Sequence, residues 1–249
     1  MGKLDGKIAV ITGASSGIGL ATAKEFVREG AYVYMMARRQ KVLDDAVAEV
    51  GPNASGVQGD VSNLKDLDRL YAQIAQEKGR IDVVFANAAV PALELFGEIT
   101  EEKYDLIFNI NLRGLLFTAQ KALPLMASGG SIILCGSNAT TVTGPMLTTY
   151  SASKAGVRSF AHTWTQEWKD RNLRVNVVSP GPTDTAIFRG TGFPEEMVQG
   201  FIDHVVGKVP AGRMGRPEEI AKAVTFLASE DSSFIRGVEL FVDGGMTSL

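Results

Sequence analysis

Ile8-Ala9-Val10-Ile11-Thr12-Gly13-Ala14-Ser15-Ser16-Gly17-Ile18-Gly19 stands near the start of the chain, and its reading decides the fold. Ile8–Ile11 is a short apolar run of the kind that forms a strand covered on both faces. Leu20–Glu29, directly after the last glycine, reads as a helix. Between them the glycines permit a tight turn and let backbone N–H groups approach a pyrophosphate closely. The helix start adds unpaired donors and the positive end of its dipole, which together suit an anion. Glycine-rich turns also occur for structural reasons alone. It is the placement between a buried strand and a helix that points to dinucleotide binding.

Outward from that turn, apolar runs alternate with longer helical patterns. The runs are Tyr32–Met36, Ile81–Phe85, Ser131–Leu134, Arg174–Val178 and Val238–Val242, with a weaker one at Ala54–Gln58. Leu64, Leu67, Leu70, Tyr71 and Ile74 recur at spacings of three and four, as on one face of a helix. Strands separated by helices imply right-handed crossovers. The expected fold is therefore α/β: a Rossmann-type, doubly wound parallel sheet of about seven strands with helices on both faces. No repeat, low-complexity tract or linker interrupts it, so residues 1–249 read as one domain. The stretch Thr183–Pro210, with Gly190, Gly192, Gly200 and Gly207, breaks the rhythm and reads as a loop-like, lid-like insertion.

Composition narrows the partners. The chain has 249 residues, 25 Lys plus Arg against 28 Asp plus Glu, and a net charge of −3. That mild acidity argues against nucleic acid or anionic membrane as a main partner. No apolar run approaches the ~20 residues of a spanning helix, and the N-terminus has no secretory apolar region. One cysteine, Cys135, excludes an intramolecular disulfide and fits a reducing compartment. A cytoplasmic protein is expected. No cluster of Cys, His, Asp or Glu has metal-ligand spacing, so no metal is expected; His162 and His204 read as structural or surface residues.

The glycine spacing, Gly-x-x-x-Gly-x-Gly, resembles that of the short-chain dehydrogenase/reductase family. Tyr150-Ser151-Ala152-Ser153-Lys154 matches that family's Tyr-x-x-x-Lys, and Ser137 stands 13 residues ahead, after the apolar Ser131–Gly136 run. Asn109-Ile110-Asn111-Leu112-Arg113-Gly114, Gly59-Asp60-Val61, Asn87-Ala88, Ser179-Pro180-Gly181 and Val242-Asp243-Gly244-Gly245 match in the same order. The resemblance covers essentially the whole chain. It implies a hydride transfer between a nicotinamide cofactor and a carbonyl or secondary alcohol. Asn111, Ser137, Tyr150 and Lys154 are the implied catalytic residues, with Asn111 interrupting its helix and holding a water that serves Lys154. Tyr150 and Lys154, four apart, share a helical face, and a neighbouring ammonium makes a phenol a more useful acid or base.

Cofactor choice is read at the end of the second strand, where an acidic residue binds the ribose 2′-hydroxyl of NAD. Here that position is Ala37, followed by Arg38 and Arg39, whose guanidinium forks suit a phosphate monoester. NADP(H) is therefore expected as the preferred cofactor, with NAD(H) use left open. The expected cofactor residues are Gly13, Ser15, Ser16, Gly17, Ile18, Gly19, Arg38, Arg39, Asp60, Val61, Asn87, Ala88, Tyr150, Lys154, Pro180, Gly181, Thr183 and Thr185. Two positions depart from the family pattern. Ser16 stands where many NADP users carry Lys or Arg, and Ala89 stands where glycine is common.

The substrate wall is expected from Asn138–Thr149 and from Ile187–Val206, with Leu147, Ile187, Phe188, Phe193, Met197 and Phe201 making it apolar. That favours a neutral, hydrophobic ketone or secondary alcohol. The alternatives are a 3-oxoacyl-thioester reductase and, outside enzymes, a nucleotide-sensing protein without catalysis. The second would be expected to lack Tyr150, Lys154 or Ser137. The resemblance also implies a homo-oligomer, commonly a tetramer, with the Tyr150 helix and the last strand at its interfaces. Trp164 and Trp168, four apart, pack in the core or against a partner subunit on this reading.

Overall fold

The structure is a computed structural model and describes residues 2–185 and 195–248. Among the described residues, seven strands form one parallel sheet. They are β1 (Ile8–Thr12), β2 (Tyr32–Ala37), β3 (Ala54–Gln58), β4 (Ile81–Ala86), β5 (Met126–Cys135), β6 (Arg174–Pro180) and β7 (Glu239–Val242). Their order is β3-β2-β1-β4-β5-β6-β7. The chain therefore reverses direction across the sheet between β1 and β4, and the crevice beyond the carboxyl ends of these strands is where open α/β sheets bind ligands.

Period-2 alternation explains why the strands look apolar throughout. Ile8 and Val10 face one side of the sheet with Tyr34, Val84 and Ile132, while Ala9 and Ile11 face the other with Val33, Val83 and Ile133. The first face is covered by α3 (Leu64–Glu77), α5 (Leu115–Ala122) and α6 (Thr148–Glu167), which bring in Leu67, Leu70, Ile74, Ala119 and Ala161. The second is covered by α1 (Gly17–Arg28), α2 (Gln40–Val50) and α8 (Pro217–Ala228), through Phe26, Leu43, Ile220, Val224 and Leu227. Each fully buried side chain of this size stabilises the fold by about 1.5–3 kcal/mol. The sheet is thus doubly wound, as its sequence pattern predicts.

Three features depart from the simple pattern. β5 is longer than its apolar run: Ile81 pairs with Met126 but Val83 with Ser131, so Ala127–Gly130 bulges from the ladder. Second, α4 (Glu101–Phe108) runs into a π-helical turn, Asn109–Gly114, before α5 begins. Third, the stretch read as loop-like from 183 to 210 contains a twelve-residue helix, α7 (Glu195–Val206). Met197, Phe201 and Val205 recur there every four residues, and one interior Gly200 lowers helix propensity by only about 1 kcal/mol. Ile187, Phe188 and Phe193, and the side chains of Met197 and Phe201, lie outside the described residues.

Candidate active site

The carboxyl ends of β1 and β4 are tied together at the glycine turn. Thr12 Oγ1 accepts from Asn87 N and Ala88 N, both at 3.1 Å, and Asn87 Nδ2 donates to Thr12 O at 3.0 Å. Gly13 has φ +66°, and a Cβ there would come within 2.9 Å of Ala88 Cα. At Gly19 a Cβ would lie 2.3 Å from Gly13 O, which is why α1 packs so closely on the turn. Ser16 is the N-cap residue of α1, yet its side chain makes no cap bond and the first turn carries no acid. The helix start thus keeps its donors and its positive dipole end for an outside anion.

From β2 the chain exits through buried Ala37 to exposed Arg38 and Arg39. Arg38 Nη1 lies 4.0 Å from Asp60 Oδ2, across the crevice mouth. Asp60 itself is braced: its Oδ1 accepts from Ser62 N and Oγ, and its own N–H donates to Asp66 Oδ2 at 2.9 Å. That backbone bond is the main cause holding the Asp66 carboxyl below the usual carboxylate range, helped by Arg69.

On α6, Tyr150 is half-buried and Lys154 is almost fully buried, with the Lys154 ammonium 5.9 Å from the centre of the Tyr150 ring. Lys154 Nζ donates to Cys135 O at 2.8 Å. An ammonium has three donors, so two remain for a group in the cleft, a number that fits a ribose diol. Cys135 is also buried; burial pushes its thiol up from the ordinary value, and the Lys154 charge offsets part of that rise. Ser137 follows β5, nearly buried, and its Oγ accepts from Ala139 N at 3.2 Å. Its single proton stays free to donate to an oxygen in the cleft.

Asn111 lies inside the π turn, a local geometry that often marks functional sites. It is fully buried and works as a two-way clamp. Oδ1 accepts from Val90 N at 2.8 Å, while Nδ2 donates to Val90 O at 2.9 Å and approaches Ser153 Oγ at 3.3 Å. Ser153 Oγ in turn donates to Tyr150 O at 2.7 Å. The clamp therefore connects the Val90 strap to the helix that carries Tyr150.

All these segments border one cleft of about 530 Å³. Its lining includes Gly13, Ser15, Ser16, Gly17, Ile18, Arg38, Arg39, Asp60, Val61, Asn87 and Ala88 at one end. Ser137, Tyr150, Lys154, Pro180, Gly181 and Thr183 line the other, and Thr185 reaches back to the glycine turn, where a Cβ on Gly17 would come within 3.1 Å of its Cγ2. Gly19 and Asn111 are not in that lining: Gly19 packs beneath the turn and Asn111 behind the strap. Several lining residues escaped the sequence reading. Pro91, Ala92 and Leu93 come from the strap after β4, and Met246 from the C-terminal turn. Met246 Sδ accepts from Asn138 Nδ2 at 3.3 Å, and its turn is held by Asp243, whose carboxylate accepts from Gly245 N and Thr247 N. For Met246 the only sequence signal was the adjacent Val242–Gly245 match. His162 and His204 are exposed, and no metal-holding group of three or more His, Cys, Asp or Glu occurs among the described residues. Among those residues no helix is long and apolar enough to cross a membrane.

Comparison with known proteins agrees with the fold. A family model described as enoyl-(acyl carrier protein) reductase matches residues 13–247. The chain is 45% identical to oxidoreductase asL5 of Sarocladium schorii, covering 99% of this chain and 98% of that protein. It is 36% identical to the 3-oxoacyl-[acyl-carrier-protein] reductase FabG of Thermotoga maritima, with 98% and 99% covered. It is 33% identical to versicolorin reductase 1 of Aspergillus parasiticus, with 98% and 97% covered. A crystal structure of a short-chain type dehydrogenase/reductase from Mycobacterium marinum superposes with a TM-score of 0.91 at 30% identity, covering 99% of this chain and 97% of the other.

Proposed function

Because this chain belongs to the short-chain dehydrogenase/reductase family, we propose that it is an NADP(H)-dependent reductase of hydrophobic ketones, running the reverse oxidation of secondary alcohols with the same residues. The observation that carries the reading is the burial of Lys154 on the helix of Tyr150, in one cleft with Ser137 and the glycine turn. The nicotinamide, when bound, supplies or accepts the hydride. The Ser137 hydroxyl donates to the substrate carbonyl oxygen and holds it beside Tyr150. Tyr150 gives its phenolic proton to the alkoxide that forms, and Lys154 stabilises the phenolate left behind. The two spare Lys154 donors hold the ribose hydroxyls. Asn111 keeps the Val90 strap and the Tyr150 helix in register.

Gly13, Ser15, Ser16, Gly17, Ile18 and Gly19 form the pyrophosphate turn in this proposal, and Asp60, Val61, Asn87 and Ala88 flank the adenosine. Pro180, Gly181, Thr183 and Thr185 hold the carboxamide end. Arg38 and Arg39 face the 2′-phosphate, with no acidic residue at Ala37 to repel it. The preference for an apolar ketone is supported by Ala92, Leu93, Val142, Leu147, Val205 and Met246, which line the reacting end without a charged anchor. Assembly as a homo-oligomer is supported by the exposure of Tyr104 and Leu106 on α4 and of Phe234 before β7.

The test is NADPH oxidation over a panel of aryl and alkyl ketones, with both cofactors and with acetoacetyl-CoA included. Tyr150→Phe should abolish turnover and leave NADPH binding; retained turnover would remove Tyr150 from its role. Arg38 is more than half exposed, so its loss is expected to weaken NADPH by only about 1 kcal/mol, roughly fivefold in NADPH-over-NADH preference. An unchanged preference in Arg38→Ala would refute the 2′-phosphate assignment. A second reading, reduction of 3-oxoacyl thioesters, is favoured by the similarity to the Thermotoga maritima enzyme along nearly the whole chain. Turnover of acetoacetyl-CoA far above every simple ketone would select it.

A further inference from the structure

Glu239 opens β7, yet its side chain is only 7% exposed. A carboxylate so far from water needs partners, and its three come from three different segments of the cleft. Ser179 Oγ, at the end of β6 and one residue before Pro180, donates to Oε1 at 2.7 Å. Thr140 Oγ1, in the turn after Ser137, lies 3.3 Å from the same oxygen. Arg158 Nε, one helical turn beyond Lys154 on α6, lies 3.4 Å from Oε2.

Two of these contacts reach Ser137. Thr140 Oγ1 also lies 3.0 Å from the Ser137 carbonyl, so its one proton is shared between that oxygen and Glu239. Ser179 Oγ fills the space beside Gly136, where a Cβ would come within 2.3 Å of it. Gly136 N further donates to Val178 O at 2.8 Å. The residue before Ser137 and the turn after it are both set by the group that Glu239 gathers.

Resting on the reductase reading above, we infer that Glu239 is a positioning residue: by holding Ser179, Thr140 and Arg158 together it fixes the Ser137 hydroxyl relative to Tyr150. A misplacement of about 1 Å at such a group can lower a rate by about 100-fold. The adenosine end does not share the network, since Arg38 follows β2, five strands from β7 in the sheet. The reaction step should therefore suffer while cofactor affinity does not.

The test compares Glu239→Gln with Glu239→Leu in the full chain. The amide keeps a carbonyl oxygen for Ser179 and Thr140; its NH2 cannot accept from Arg158, but that half-exposed guanidinium can turn to water, so kcat should stay within about threefold of the parent. The leucine variant should lose at least about tenfold in kcat, with its NADPH dissociation constant within about twofold. Hydrogen–deuterium exchange over 136–142 should rise by about tenfold in the leucine variant, with residues 12–19 unchanged. A folded leucine variant with parental kcat, or with parental exchange over 136–142, overturns the inference; so does an amide variant as damaged as the leucine one. Should the leucine variant not fold, Thr140→Val combined with Ser179→Ala carries the same expectations and the same refutation. Absence of turnover in the parent protein would sink the reductase reading alone, because the exchange measurement does not depend on it.

Discussion

Asn111→Ala removes one side chain and strips both backbone groups of another residue of their partner. Val90 N and Val90 O are bonded to Asn111 Oδ1 and Nδ2 at 2.8 and 2.9 Å; Asn111 is fully buried and Val90 partly so. Each buried polar group left unpaired costs about 1–3 kcal/mol. Water entering the vacated space recovers part of this, leaving a net loss of about 2–4 kcal/mol. For a chain of this length that corresponds to a Tm lower by roughly 5–15 °C. Asn111→Asp separates shape from polarity. The introduced carboxyl keeps one oxygen for Val90 N–H but turns the other toward the Val90 carbonyl, where only a protonated oxygen can donate. Burial and that hydrogen bond both favour the neutral form, so the folded-state pKa of the introduced group lies above its unfolded value. Stability from such a group is fully present below the unfolded pKa and is lost as pH rises through the folded one. The Tm gap between this variant and the parent, followed by circular dichroism from about pH 4.5 to about pH 8, should widen as pH rises. The gap for Asn111→Ala should stay flat over the same range. A flat profile for the aspartate variant, or an alanine loss below about 2 °C, would refute the clamp.

Arg174→Met tests a buried guanidinium, held below its ordinary pKa by burial, that donates to Leu227 O, Ala228 O, Ser229 O and Ser232 at the end of α8. Leu227 O and Ser229 O keep other donors and only Ala228 O depends on Arg174, so the expected loss is about 2–4 kcal/mol with KM unchanged, and an unchanged Tm would contradict it. Gly19→Ala sets a Cβ 2.3 Å from Gly13 O and 2.8 Å from Asn87 Nδ2. Relief of that clash costs about 1–3 kcal/mol, so NADPH affinity by fluorescence titration should fall at least about fivefold, and parental affinity would show that the turn relaxes freely.

The sheet was legible because the inner strands β1, β2, β4 and β6 bury both faces, which leaves an uninterrupted apolar run between helical patterns. Even Ala54–Gln58, the weakest run, pairs with β2 at the edge. The helix α7 was not legible, because four glycines spread over 183–210 outweighed a four-residue apolar spacing confined to part of it. The same imbalance governs the cleft. The glycine turn is built from backbone, and backbone packed so closely that a Cβ would fall within 3 Å of its neighbour leaves glycine as a visible mark: Gly13 against Ala88, Gly19 against Gly13. Tyr150 and Lys154 are visible because one helical turn fixes their spacing.

On the proposed function the reacting end is built by a different rule, and this explains why the substrate was the hardest thing to read. Leu93, Val142, Leu147 and Met246 meet there from three places in the chain, and any apolar residue of similar size would serve as wall. No spacing records such a meeting. What does record it is the polar framework behind the wall: Asn111 on Val90, Asp243 on the Met246 turn, Glu239 beneath the Ser137 turn. Buried polar groups tolerate little substitution without loss of a partner, whereas the apolar surface they support can change freely. A chain organised this way can keep its proton-transfer geometry while its substrate wall varies. Its specificity should therefore respond to Leu93, Leu147 and Met246, and its rate to Asn111 and Glu239.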